Sequence, residues 1–315
     1  MNTKYSYSLA FVFFILLMNF ASAAKMEGQT QFEQYGAYCT NSKRQYGHQE
    51  DSLFAMHSVM KFPQALYVAD YLRRQGLTLG DGILVCKDSL DAQTWSPMLA
   101  TFEGSQFMSF ATLLRWSLQQ SDNNACDLLF ASCGMPREVE TYIQSLGFRH
   151  IHIRLTEKEM RQQPWRAIEN AATPRDMVGL MEWLMKHKND NAFLAFVWDT
   201  MAETKTGAGR IAAIVPQNGR LYHKTGTGFP SSDGRQDRND VGIIVFPDGS
   251  HLSLAIFVSA AMDEHEVAAI AEELFLNDDS SSGSSSDSGS SSDSGSSESS
   301  DSSDSGVLLK KIMAL

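Results

Sequence analysis

Three short groups of residues in this chain have the types and spacing to do chemistry together. In Ser58-Val59-Met60-Lys61 a hydroxyl and an amine lie three residues apart, which on a helix puts them on one face. An amine held there can take the serine proton when neutral, or orient water when charged, and so activate the serine as a nucleophile. A chain of this length and composition holds roughly one Ser-x-x-Lys by chance, and its plain alternative is a solvated helix face. Two features weigh against that alternative. Phe54, Met56, Val59, Phe62 and Leu66 surround the pair with apolar side chains, so the helix is expected to be buried. A buried lysine then needs a reason. In Ser121-Asp122-Asn123 the serine can relay a proton and the asparagine amide can hold a substrate carbonyl; the alternative is simple helix capping by Ser and Asp. In Lys224-Thr225-Gly226, followed by Thr227-Gly228, the lysine offers positive charge to a carboxylate and the glycines let a ligand approach the backbone closely; the alternative is an exposed strand end.

A helix, an interhelix loop and a strand have to hold these groups. Apolar residues Val59, Phe62, Leu66, Ala69 and Leu72 predict a helix over 58–74 that stops at Gly76. Pro63 sits close enough to its start to be tolerated. Further helices are expected over 110–118, over 124–132 before Gly134, from Pro136 to Gly147, from the Thr173-Pro174 cap to about residue 186, and over 192–201. After Gly219 the pattern turns to strands over 221–225, 241–246 and 252–258, and 264–276 reads as a closing amphipathic helix. Residues 24–51 show no clear periodicity and are expected to be loop with at most one edge strand. The layout is α+β: a helical block packed against an antiparallel sheet flanked by the C-terminal helix.

Both ends of the 315-residue chain differ from its middle. Residues 1–23 read as a signal peptide, with Lys4, an apolar run over 9–20 and the small-x-small site Ala21-Ser22-Ala23. A membrane anchor would need a longer run. The mature protein is therefore expected to be cut after Ala23, to be periplasmic or secreted, and to be free of the membrane. Residues 278–305 are an acidic Ser/Asp/Gly-rich tail with seven acidic residues and no basic one. Such a composition cannot bury enough apolar surface to offset its ordering entropy, so disorder is expected. The formal charge of −11 falls to about −4 without that tail, and nothing basic enough for nucleic acid remains. Residues 306–315, with Val307, Leu308, Leu309, Ile312 and Leu315, form a short amphipathic end. That leaves 24–277 as the functional domain. Of the four cysteines, Cys126 and Cys133 would lie about 10 Å apart along one helix, too far to bridge, and are expected to be buried free thiols. Pairing of Cys39 with Cys86 stays open.

The three groups, in this order on helix, loop and strand, match the trio found in class A β-lactamases and penicillin-binding proteins. The chain from about Glu50 to Asn277 resembles a class A serine β-lactamase of the penicillin-recognising active-site-serine superfamily. The resemblance implies hydrolysis of β-lactams, with Ser58 attacking the lactam carbonyl and the backbone N–H groups of Ser58 and Thr227 forming the oxyanion hole. It makes Ser121 the proton relay to the lactam nitrogen, with Lys61 and Lys224 holding its electrostatics. It gives Asn123 the substrate's amide side chain, and Lys224, Thr225, Gly226 and Thr227 a substrate-binding strand. Trp95 falls where the family keeps an aromatic at the cleft mouth, against the alternative of a core Trp. Arg210 falls where one branch places an arginine for the substrate carboxylate, against the alternative of a surface arginine. No cofactor or metal is implied; the partner is a small β-lactam, and a monomer is expected.

Choice of class turns on a glutamate below the serine. In Thr156-Glu157-Lys158-Glu159-Met160, Glu157 best matches the deacylation base because Met160 then takes the apolar anchor position, and Glu159 is the fallback. Where the family has an asparagine four residues on, this chain has Arg161; where an Arg–Asp pair closes the loop, it has Leu155 and Asn170. These departures, with Thr227, are similar to the extended-spectrum cephalosporinase branch, so cephalosporins are the expected preference. The family also places a long helix and a first strand before the nucleophile. Only 34 residues separate Ala23 from Ser58 here, with no helical pattern, so both are expected to be missing or shortened. Two other readings stand beside the β-lactamase: a D-alanyl-D-alanine carboxypeptidase or related serine esterase, which Glu157 disfavours, and a non-catalytic β-lactam or peptidoglycan binder, which the intact Ser58, Lys61, Ser121 and Lys224 disfavour.

Overall fold

Two short strands open the described part of the chain in the computed structural model, which covers residues 35–41 and 44–276. β1 (Tyr35–Thr40) and β2 (Gln45–His48) pair as an antiparallel hairpin. The expectation of at most one edge strand over 24–51 is thereby corrected. β1 lies inside the sheet and is buried along nearly its whole length, so it lacks the alternation of a half-exposed strand. A first strand is thus present, whereas the expected loss of a helix falls on residues 1–34, outside the described residues, as do the signal peptide and the tail.

β3 (Phe54–Ala55) leads into a 3-10 turn, His57–Met60, which runs on as helix α1 (Lys61–Gln75). The sequence placed Ser58 inside this helix; it lies on the tighter turn just before it. Gly76 ends α1 at φ 66°, with its N–H on the Arg73 carbonyl. Pro63 is the third residue of α1, where the N–H has no intrahelical acceptor to lose. Phe62, Leu66, Val68 and Leu72 are buried, so α1 is the central helix of the core.

β4 (Gly82–Cys86) and β5 (Ser105–Ser109) form a second hairpin, which the sequence did not signal. Then come α2 (Phe110–Gln119), α3 (Asn123–Cys133), α4 (Pro136–Ser145), β6 (Ile151–His152), α5 (Glu157–Gln162) and β7 (Ala171–Ala172). Helices α6 (Pro174–His187), α7 (Ala192–Met201) and the short α8 (Ile211–Ile214) precede the long meander β8 (Arg220–Thr227), β9 (Gln236–Val245) and β10 (His251–Ala261). Helix α9 (His265–Leu276) closes it. The main sheet has the order β2-β1-β10-β9-β8, and a small sheet has β3-β7-β6. Helices α6 and α9 pack on β10, while α1 packs among α2, α3, α4 and α7. This is the expected α+β arrangement of a helical block and an antiparallel sheet. Cys126 and Cys133 are buried free thiols, Cys86 is an exposed one, and Cys39 is buried.

Glycine is required where β8 meets the turn that carries Ser58. A side chain at Gly226 would run into the Met56 carbonyl and into Val59. Its absence lets the turn rest directly on the strand, which brings the first and third sequence motifs together.

Candidate active site

Lys61 is completely buried, and its ammonium has three partners. It donates to Ser58 Oγ at 2.6 Å and to Asn123 Oδ1 at 2.8 Å, and forms an ion pair with Glu157. Ser58 Oγ in turn donates to Glu157 Oε1 at 3.2 Å. A buried charge is tolerated when it is paired and hydrogen-bonded in this way. The chemical content of the triangle is that the serine proton lies within reach of both an amine and a carboxylate.

The second motif divides its labour. Asp122 does the capping: its Oδ1 accepts the Ala125 N–H at 2.9 Å, and its Oδ2 accepts the Met98 N–H at 2.8 Å. Burial pushes its carboxyl above the usual range. Ser121 is freed from that task and held in the left-handed region at φ 57°, where its Oγ accepts from Lys224 Nζ at 2.9 Å. Asn123 faces the cleft and steadies its amide by donating to Thr94 Oγ1 at 2.8 Å.

Lys224 is as buried as Lys61 and also donates to the Thr225 carbonyl at 2.7 Å. Burial, and then the nearby charge of Lys61, push its ammonium well below the ordinary lysine range. Thr225 shares a 2.6 Å hydrogen bond with Thr206. Arg210 is no surface arginine: it is buried and donates to the carbonyls of Gly226 and Asn239 and, at 2.7 Å, to Thr227 Oγ1. It therefore steadies the end of β8 from behind while lining the cleft. Trp95 is not a core residue. It is 62% exposed at the rim, with its indole N–H on the Gln120 carbonyl at 2.9 Å. The cleft holds about 650 Å³ and is lined by Trp95, Arg210 and Thr225 together with Ser58, Glu157 and Thr227.

Local chemistry separates the two candidate glutamates. Glu159 accepts the Thr156 N–H at 2.8 Å while Thr156 Oγ1 accepts the Glu159 N–H, a reciprocal cap that turns Glu159 away from the serine. Glu157 is buried and faces Ser58 and Lys61. Its backbone is fixed by a residue that the sequence reading missed. Asp127 on α3 accepts the N–H groups of Glu157 and Lys158 at 2.8 and 2.9 Å. Burial, and then the charge of Glu157, push the Asp127 carboxyl up to about 7. An acidic residue inside the apolar stretch 124–132 was the available signal.

Arg161 lines the cleft and pairs with Asp91 at 2.6 Å. The loop is closed instead by one amide. Asn170 Oδ1 accepts the N–H groups of Arg154 and Leu155 at 2.7 and 2.9 Å, and its Nδ2 donates to the Leu155 carbonyl at 2.8 Å. The Asn170 carbonyl accepts the Met56 N–H at 2.8 Å, which joins the loop to the segment leading into Ser58. Asn170→Ala would strand buried backbone groups at about 1–3 kcal/mol each. A stability loss of roughly 3 kcal/mol in denaturant unfolding is expected; a loss under about 0.5 kcal/mol, the ordinary scatter of surface changes, would refute the amide's part.

With this geometry in place, comparison with known proteins is decisive. The family model described as "Beta-lactamase enzyme family" matches residues 20–275. The chain belongs to the β-lactamase enzyme family. It is similar to the β-lactamase VEB-1 of Pseudomonas aeruginosa, 31% identical over 69% of this chain and 74% of that protein. It is equally similar to the extended-spectrum β-lactamase PER-1 of the same organism, at 31% over 70% and 74%. Among solved structures, a β-lactamase from Chitinophaga pinensis superposes with a TM-score of 0.73, at 29% identity, over 83% of this chain and 99% of that one. The class A resemblance therefore holds for the fold as well as the motifs, and this β-lactamase is an enzyme of the serine type.

Proposed function

We propose that the cleft hydrolyses β-lactams through an acyl-enzyme on Ser58. The observation that carries the reading is the contact of Glu157 Oε1 with both Ser58 and Lys61. Ser58 Oγ gives its proton to the Lys61–Glu157 pair as it attacks the lactam carbonyl carbon. Charge gathers on the carbonyl oxygen, opposite the backbone N–H groups of Ser58 and Thr227. The lactam C–N bond then breaks, and the nitrogen takes a proton from Ser121; the proton that the Lys61–Glu157 pair received makes good that loss, so Glu157 is a carboxylate again, while Lys224 holds Ser121 along their 2.9 Å hydrogen bond. Asn123 holds the amide side chain, and Lys224, Thr225 and Arg210 bring positive charge and donors to the carboxylate. In the second half, Glu157 takes a proton from water, the hydroxide attacks the ester carbon, and Ser58 leaves with a proton restored. Turnover of a chromogenic cephalosporin by purified protein, with a transient adduct on Ser58, tests this. Uptake of penicillin without release would point to a peptidase instead.

Substrate preference follows from the loop. Its base is closed by Asn170 in place of an ion pair, and Arg161 pairs with Asp91, so the wall below the cleft differs from the common pattern. Cephalosporins are expected to be better substrates than penicillins, with oxyimino forms accepted. A kcat/KM favouring benzylpenicillin by tenfold, about 1.4 kcal/mol of transition-state discrimination, would reject this. Export, with cleavage after Ala23, and a monomer complete the reading. Among the described residues no helix is long and apolar enough to cross a membrane.

A further inference from the structure

We propose that the hydrogen-bonded contact between His57 and Asp237 is a positioning device for the oxyanion hole, setting the backbone N–H of Ser58 against the end of β8. This rests on the reading of Ser58 as nucleophile and of the Ser58 and Thr227 N–H groups as oxyanion donors.

His57 directly precedes the nucleophile, and its backbone lies in the left-handed region at φ 49°. For a residue other than glycine such a conformation costs on the order of 1–3 kcal/mol and persists only where its surroundings hold it. The peptide plane that carries the Ser58 N–H is oriented by the dihedral angles of His57. Whatever holds His57 therefore aims that N–H.

Asp237 on β9 is what holds it. His57 is 6% exposed, and its Nε2 lies 2.8 Å from Asp237 Oδ2, across 180 residues of chain. The other oxygen, Oδ1, accepts the Ala260 N–H at 3.0 Å. Ala260 is itself left-handed, at φ 54°, and stands where β10 slips register against β9. One carboxylate thus ties two strained residues, one beside the nucleophile and one in the sheet. Burial works to raise the Asp237 carboxyl, yet the His57 contact holds it below its ordinary range.

Two neighbours complete the device. Asn239, two residues along β9, donates its amide to the carbonyl of Ala55 at 2.8 Å and reaches that of Met56 at 3.3 Å, so the same strand grips the chain on the approach to His57. Gly228 leaves room for the imidazole, since a side chain there would come within 2.9 Å of His57 Nε2. Lys61 and Glu157 hold only the Ser58 side chain. Loss of the His57 tie therefore misaligns the N–H while leaving the proton network in place.

The test uses His57→Gly, Asp237→Asn and the double variant, with a chromogenic cephalosporin under single-turnover conditions. Glycine adopts φ near +49° without strain, so His57→Gly keeps the fold and carries the test even if Asp237→Asn does not fold. The acylation rate constant is expected to fall by about tenfold or more in each single variant, below the roughly 10²–10³ of a lost oxyanion donor. The substrate concentration for half-saturation should stay within about threefold, since ground-state binding is untouched. The double variant should be no slower than the slower single one, because the two residues act as a unit. Single variants that acylate within twofold of wild type, or losses that multiply in the double variant, would overturn the proposal. So would a fall in affinity and melting temperature that parallels the rate, the mark of mere loosening. A wild-type protein with no adduct on Ser58 overturns the reading of the site itself, and the proposal with it.

Discussion

Replacing Glu157 by glutamine is expected to leave a protein that takes up a β-lactam and scarcely releases it. Glutamine keeps the size of the side chain and its hydrogen bonding but cannot accept a proton from water. Loss of a general base typically costs about 10²–10⁴-fold, and here the cost falls on deacylation. Acylation has a second route. Lys61 Nζ already lies 2.6 Å from Ser58 Oγ. Stopped-flow traces should show a burst followed by very slow turnover, and mass spectrometry a stable adduct on Ser58. The control is Glu159→Gln. Glutamine serves equally well in the reciprocal cap with Thr156, so that variant should keep its turnover. A Glu157 variant that turns over normally while the Glu159 variant traps adduct would reverse the assignment of the loop.

Ser58→Ala has the larger effect and the simpler logic. Without Oγ there is no atom to carry the acyl group, so both turnover and covalent labelling by penicillin should vanish. The fold should not suffer. Lys61 keeps Asn123 and Glu157 as partners, so no buried charge is left alone. Non-covalent binding of substrate should survive, because Asn123, Lys224 and Arg210 are untouched. A penicilloyl adduct on the alanine variant, or on a serine other than 58 in the parent, would remove Ser58 from its role.

How much of this was legible in the sequence depended on distance along the chain. Helices marked by local punctuation were readable, as with Gly76 after α1 and Thr173-Pro174 before α6. The residues brought together by the three motifs were readable as a set. Glu157 was left beside Glu159, although Thr156-x-x-Glu159 is itself the spacing of a reciprocal cap and already assigns Glu159 to the backbone. Elements without a periodic pattern were not readable. β3, β6 and β7 have two residues each, and β1 is buried too continuously to alternate. Nor was anything readable that depends on a side chain meeting a distant backbone. Asp127 under Glu157 and Asp237 beside His57 are placed by the packing of α3 and β9, which no local spacing announces.

The two fastenings of the loop below the cleft respond differently to the solvent. A neutral amide carries no charge for dissolved ions to screen and no proton to gain in mild acid. The base of the loop, pinned by Asn170, therefore stays shut from low to high ionic strength. Its tip is held by the charged pair of Arg161 and Asp91, 27% and 16% exposed, a contact that added salt can still weaken. Salt concentration thus acts on one end of the loop alone, freeing the turn beyond Glu157 while the segment that joins Glu157 to the nucleophile stays in place.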